Sequence, residues 1–250
     1  MEEKLACLQR MVDESYRIVF FGGAGMSTES GIPDFRSADG LYHQQFRYPP
    51  ETMLSLDFYR AHTAEFYDFY RKKMLCLEAQ PNAGHRKLAE LEREGRLSAI
   101  VTQNIDGLHQ QAGSRRVYEL HGSVHRNRCE RCSKLYPAQF ILKSEGIPHC
   151  ACGGELKPDV VLYGEALDER TVQGSIAAIR EADMLIIGGT SLAVWPAAGL
   201  IDYYRGERLV LINRTETPAD GRANLVLRTD IGKTLAALRS EVLVKEEKDG

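Results

Sequence analysis

The chain has no apolar run approaching the roughly 20 residues that a membrane-spanning helix needs, so no membrane partner is expected. It lacks a secretory signal: Met1-Glu2-Glu3-Lys4 is acidic and is followed by an amphipathic stretch. A basic excess is also missing. Lysine and arginine total 32 against 35 aspartates and glutamates, a net charge of −3 without the positive footprint of direct nucleic-acid binding. Six cysteines without a signal imply reduced thiols and a cytoplasmic setting. What remains is ordinary and soluble in character, with 43% apolar and 27% charged residues. A length of 250 residues allows one large domain, with or without a small insertion, and the oligomeric state is left open.

Leu5, Leu8, Met11 and Val12 recur at helical spacing and predict an N-terminal helix ending near Asp13 or Glu14. Residues 17–21 are a short apolar run stopped by two glycines, the pattern of a buried parallel strand. Segments 99–103, 184–188, 209–213 and 224–227 read the same way. Helical patterns cover 83–94, 168–181 and 197–204. This alternation predicts an α/β fold built on a doubly wound parallel sheet, whose sites gather at the carboxyl ends of the strands. Two segments interrupt it. One, from Ser37 to about Gln80, is rich in aromatics and holds a helical run over 58–77. The other, 126–157, carries clustered cysteines between turn-forming prolines and glycines. Together they are expected to form a small lobe. The expected division is a discontinuous main domain of 1–36, 78–125 and 158–250, a helical insertion of 37–77 and a metal-binding insertion of 126–157.

Four motifs fall at expected strand ends or in the second insertion. Phe21-Gly22-Gly23-Ala24-Gly25 lets backbone approach a pyrophosphate, although Gly23-x-Gly25 alone fits a plain turn as well, and Thr28 stands where the usual dinucleotide fingerprint has its third glycine. Gly189-Thr190-Ser191 offers amides and hydroxyls to phosphate or ribose oxygens, or caps a helix. Thr102-Gln103-Asn104-Ile105-Asp106 puts three polar side chains past a strand end, for chemistry or for a turn. Cys129-x2-Cys132 and Cys150-x-Cys152 supply four thiolates that suit a closed, structural, tetrahedral zinc site. The second pair is tighter than the usual spacing, which keeps His149 and His125 in play as substitute ligands and a redox pair as the alternative. Cys7 and Cys76 read as small buried hydrophobes.

With Gly31-Ile32-Pro33-Asp34-Phe35-Arg36 and His121-Gly122 added, the chain from about 17 to about 231 resembles the sirtuins, the NAD-dependent protein-lysine deacylases, in their bacterial deacetylase form. The resemblance implies a Rossmann-like domain, a structural zinc ion and NAD consumed as co-substrate. By it, Ala24 and Thr28 contact phosphates or ribose, Phe35 covers the nicotinamide side and Arg36 assists near the diphosphate. Gly189, Thr190 and Ser191 line the same site. Asn213 takes an adenosine ribose, and Ile231 packs on adenine or in the core. Asp106 and the Ile105 backbone hold the nicotinamide carboxamide. Asn104 positions the ribose or a water, and Gln103 bonds ribose hydroxyls. His121 is the general base, ahead of His109 and His125, while His43, His62, His85 and His149 have no matching context.

The implied reaction transfers the acyl group. The acyl oxygen of a modified lysine attacks C1′ as nicotinamide leaves, and a ribose hydroxyl deprotonated through His121 then attacks the acyl carbon, giving O-acyl-ADP-ribose and free lysine. Residues 157–165 resemble the strand that pairs with substrate peptide, with Val160 and Val161 flanking the lysine tunnel and Tyr163 where many relatives carry phenylalanine. Relatives that remove succinyl groups carry Tyr-x-x-Arg in the helical insertion. Here Tyr67 and Arg71 are one step too far apart, so acetylated-lysine proteins or peptides are the expected partners. Three rivals stay open: an NAD-dependent oxidoreductase, a mono-ADP-ribosyltransferase, and a zinc-containing NAD-binding module without deacylase activity.

Overall fold

The structure is a computed structural model that describes residues 1–35, 40 and 47–239. The amphipathic start forms α1 (Glu2–Asp13) and leads into β1 (Ile18–Gly22), every residue of which is buried. The aromatic segment folds into α2 (Pro50–Met53), α3 (Leu56–Ala61) and α4 (Thr63–Lys73). Ser55 starts α3 by accepting from the Phe58 amide. The single helical run expected over 58–77 is therefore two helices, broken at His62, whose backbone (φ −136°, ψ 45°) is not helical. Next come α5 (Ala83–Arg93), capped by Asn82, then β2 (Leu97–Thr102), the short α6 (Leu108–Gln111) and β3 (Val117–Glu119).

The cysteine segment gives β4 (Gly122–Cys129), β5 (Leu135–Tyr136), α7 (Ala138–Lys143) and β6 (Leu156–Val160). The chain closes with α8 (Glu169–Glu181), β7 (Met184–Gly188), β8 (Leu209–Ile212), β9 (Leu225–Leu227) and α9 (Ile231–Ala236). The segment expected as a helix over 197–204 is a 3-10 helix, Ala197–Tyr203. No described helix is long and apolar enough to cross a membrane.

The large sheet runs β3-β2-β1-β7-β8-β9, and its paired strands are all parallel. Counted within that sheet, the order is 3-2-1-4-5-6, the doubly wound arrangement whose crevice opens between the first and fourth strands. Alternation along the strands divides the core between its two faces. Val19, Phe21, Leu185 and Ile187 pack towards α8 and the 3-10 helix, whereas Ile18, Phe20, Met184 and Ile186 pack towards α1, α5 and α9. A third core is separate. Phe58, Phe66, Tyr67 and Tyr70 of the helical insertion meet Val124, Ile141 and Leu156 of the cysteine segment, which carries its own sheet, β5-β4-β6. The two insertions thus share one small lobe.

Candidate active site

The loops after β1, β2, β7 and β8 converge on one cleft of about 430 Å³ at the crevice where the strand order reverses. Its floor is a backbone contact between two glycine loops. The Gly25 amide donates to the Gly189 carbonyl at 2.7 Å. A Cβ on Gly25 would lie 2.7 Å from the Gly189 Cα, and Gly189 itself sits at φ +60°. Both positions therefore require glycine, which lets the two loops meet backbone to backbone.

Beside this floor a polar chain links three segments. Ser27 Oγ donates to Asp106 Oδ2 at 2.6 Å and accepts from Asn104 Nδ2 at 3.1 Å. Asp106 Oδ1 accepts at 2.9 Å from the amide of Leu108, the first residue of α6. Burial raises the Asp106 carboxyl above the usual carboxylate range, against the pull of the Ser27 and Leu108 bonds. Gln103 Nε2 donates to Thr190 Oγ1 at 3.1 Å, tying the β2 loop to the β7 loop.

His121 stands on the same wall, just before β4. Its Nδ1 lies 3.0 Å from the Gln103 carbonyl. A carbonyl only accepts, so Nδ1 carries the proton and the neutral ring keeps its Nε2 lone pair. Burial lowers the His121 pKa from its ordinary value, partly offset by that carbonyl bond. Gly122 explains the His-Gly pair: at φ +73°, with the Asp159 carbonyl crowding the place of a Cβ, only glycine lets β4 start beside β6. The other contenders lie elsewhere. His109 is buried behind the cleft at 1% exposure, and exposed His125 bonds the Asp106 carbonyl at 2.8 Å. Among the described residues, His121 alone of the histidines lines the cleft. His43 lies outside the described residues.

The remaining expected residues spread along the cleft. Ala24, Thr28 and Phe35 lie on one side, and Ile105 beside Asp106. Ser191, Asn213 and Ile231 lie on the side of β7 and β8. Val160, Val161 and Tyr163 form the facing wall. Arg36 falls outside the described residues. Ile231 is 3% exposed and belongs to the core as well as to the cleft, so its two readings hold together. Tyr163 is held by backbone bonds to Leu54 and Leu56, each 2.9 Å.

Sequence reasoning gave no role to Ser27, and none to Trp195, which is 71% exposed at the cleft. The reading of Cys7 and Cys76 as buried is corrected. Cys7 is only partly buried, and Cys76 is exposed and lines the cleft, because it follows the end of α4 in a turn and not inside a helix.

Away from the cleft, the Sγ atoms of Cys129, Cys132, Cys150 and Cys152 all lie within 4.8 Å of one another. Cys129–Cys152 and Cys132–Cys150 are 3.5 Å apart, close to the ~3.8 Å edge of a tetrahedron with ~2.3 Å metal–sulfur arms. The tighter second pair fits because Cys150 is the buried end of a turn in which the Cys152 amide donates to its sulfur at 3.5 Å. That amide and the Tyr136 hydroxyl, which donates to the same sulfur at 3.1 Å, favour at Cys150 the thiolate a metal takes. His149 bonds the Ile147 carbonyl instead, and neither it nor His125 belongs to the cluster.

Comparison with known proteins agrees with this arrangement. The Sir2 family model matches residues 23–196. An NAD-dependent protein deacetylase of Clostridium acetobutylicum is 57% identical over 237 residues, covering 93% of this chain and 97% of that protein. A solved Sir2 with deacetylated peptide and 3′-O-acetyl-ADP-ribose superposes with a TM-score of 0.85 at 38% identity, over 92% of this chain and 95% of the other. A Sir2 bound to acetylated peptide gives 0.82 at 36%, over 92% and 95%.

Proposed function

The chain belongs to the Sir2 family, and from that premise we propose how its cleft performs NAD-dependent lysine deacetylation. The protein is an NAD-dependent protein deacetylase that consumes NAD and releases nicotinamide and O-acetyl-ADP-ribose. NAD, when bound, supplies an electrophilic ribose carbon with nicotinamide as its leaving group. The cleft suits it on two counts: the glycine loops after β1 and β7 line it at the crevice where doubly wound folds bind dinucleotides, and the Asn104–Ser27–Asp106 chain presents polar groups fixed in place.

The residue roles we propose are those the resemblance implies, supported by the place of the described ones in the cleft lining. Ala24, Thr28, Gly189, Thr190 and Ser191 surround the phosphates and ribose, with Arg36 assisting. Asn213 and Ile231 hold the adenosine end. Asp106 and Ile105 hold the carboxamide under Phe35, while Gln103 and Asn104 orient the ribose. His121 accepts a proton at Nε2 because Nδ1 is committed to Gln103. That commitment, in a residue facing the same cleft as the glycine loops, is the observation that carries the mechanism. The acetylated peptide lies along Val160, Val161 and Tyr163. The Tyr163 backbone is already bonded, whereas the Gly164 amide and Val161 carbonyl have no backbone partner among the described residues and are the groups we assign to pair with it.

The four cysteines hold zinc, which when bound supplies a tetrahedral crosslink. We assign the main domain to 1–36, 78–125 and 158–250, the helical insertion to 37–77 and the zinc insertion to 126–157, a division supported by the two cores of the parallel sheet being separate from the one core that the two insertions share. A cytoplasmic setting is supported by six unpaired cysteines, a state that reducing compartments preserve. The deciding assay is nicotinamide release with and without acetylated peptide, with mass analysis of products. Release that depends on the peptide and yields O-acetyl-ADP-ribose is the expected result. Peptide-independent release with a labelled protein would make ADP-ribosyl transfer the better reading.

A further inference from the structure

The start of α5 contributes no residue to the cleft lining, yet it touches three segments that do. Asn82, 8% exposed, donates from Nδ2 to the Met26 carbonyl at 2.8 Å, within the turn between Gly25 and Ser27. The same side chain caps α5, its Oδ1 accepting from the amides of Gly84 at 3.0 Å and His85 at 3.3 Å. His85 Nδ1 accepts in return from the Asn82 amide at 3.3 Å, which closes a capping box. The His85 ring then packs on His109 of α6, with centroids 4.7 Å apart, and the first amide of that helix, at Leu108, donates to Asp106. Finally, a Cβ on Gly84 would lie 2.8 Å from the Cα of Gly232, the neighbour of Ile231.

We infer that the Asn82–His85 turn is a positioning hub for the NAD site, setting the relative placement of the Met26 loop, the Asp106 turn and the start of α9. The inference rests on the reading of the cleft as an NAD site. Asn82 acts through the Met26 carbonyl and does not touch the ligand. Losing its amide leaves that buried carbonyl unsatisfied, so the loop between Gly25 and Ser27 shifts to find another donor. The histidine pair serves the same end by shape. His85 Nε2 and both His109 nitrogens have no hydrogen-bond partner among the described residues, so the rings act as neutral packing groups. Burial agrees with that state, pushing His85 down to about 4 and holding His109 well below the ordinary histidine value.

The two tasks of Asn82 separate by substitution. Serine is about as good a helix cap as asparagine but carries no donor that reaches Met26. Asn82→Ser should lower the melting temperature by only about 2–4 °C with zinc content kept, weaken NAD binding measured by calorimetry about tenfold, and leave acetylated-peptide affinity within about twofold, the change expected for one buried hydrogen bond. Asn82→Ala should lose both NAD affinity and thermal stability, and Asn82→Thr gives the same comparison if the serine variant does not fold. Unchanged NAD affinity in Asn82→Ser overturns the hub. So does a parallel fall in NAD affinity, peptide affinity and melting temperature, which marks a purely structural role. A wild-type protein that binds no NAD overturns the reading of the cleft, and the hub with it.

Discussion

The role of base proposed for His121 rests on two features, the Gln103 carbonyl that fixes its tautomer and the burial that disfavours its charged form. The carbonyl decides which nitrogen of the neutral ring carries the proton, and burial, the larger effect, keeps the ring neutral against the opposite pull of that bond. The sign for activity follows: the base is competent above its pKa, so kcat/KM should rise with pH through a limb centred below the ordinary ~6.5 of histidine. A pH–rate profile with acetylated peptide checks this, and a limb centred above that value contradicts it. His121→Ala should cost roughly 10²–10⁴-fold in deacetylation with folding and zinc content intact. Near-normal turnover would remove His121 from the mechanism. This residue was legible because His121-Gly122 and the Thr102–Asp106 run are contiguous in sequence. Ser27 was not, since its partners Asn104 and Asp106 lie 77 and 79 residues away and no local pattern announces that pairing.

Helix α4 decides the acyl group by where its side chains point. Arg71 spends its guanidinium on the insertion behind it: Nε donates to the Ile141 carbonyl at 2.9 Å, and Nη2 donates to Ser144 Oγ at 2.9 Å and to the Gly146 carbonyl at 2.5 Å. Tyr67 is fully buried and bonds the Leu156 carbonyl. Neither lines the cleft. The sequence excluded a Tyr-x-x-Arg pair by spacing, and the structure supplies the physical reason. A second carboxylate at the apolar wall of Val160 and Leu162 would be desolvated without the Tyr–Arg pair to receive it, Lys73 and Arg214 being the described lysine and arginine of the cleft lining. Acetyl-lysine peptide should therefore turn over at least about tenfold faster than its succinyl counterpart, a difference of ~1.4 kcal/mol. Equal or faster succinyl removal, in matched kinetics on one peptide, would overturn this. Other elements were hidden. β4 runs Gly122-Ser123-Val124-His125-Arg126-Asn127-Arg128-Cys129, too polar for a buried-strand pattern, and forms only because β6 pairs with it across the cysteine turns. The three-residue β3 is too short to show a period.

Three cores give the whole molecule unequal dependence on metal. The two cores flanking the parallel sheet are built from apolar strands and need no crosslink, which is why the alternation of strands and helices revealed them from sequence. The third spans both insertions and has Cys129 and Cys150 buried within it, so its packing joins segments that only the full fold brings together. A small module of this kind draws folding free energy from its metal. Cys129→Ser should deplete zinc, lower the melting temperature and melt the small lobe ahead of the sheet, seen as an early transition in calorimetry. The consequence for function is uneven as well. The glycine floor stands on β1 and β7, whereas the wall of Val160 to Tyr163 extends from β6 and is clamped to Leu54 and Leu56 of the same lobe. The variant should accordingly raise KM for acetylated peptide severalfold more than it weakens NAD binding. Metal analysis that finds no zinc in freshly purified, reduced wild-type protein would sink the assignment. Equal losses for peptide and NAD would show that the lobe and the sheet unfold as one unit.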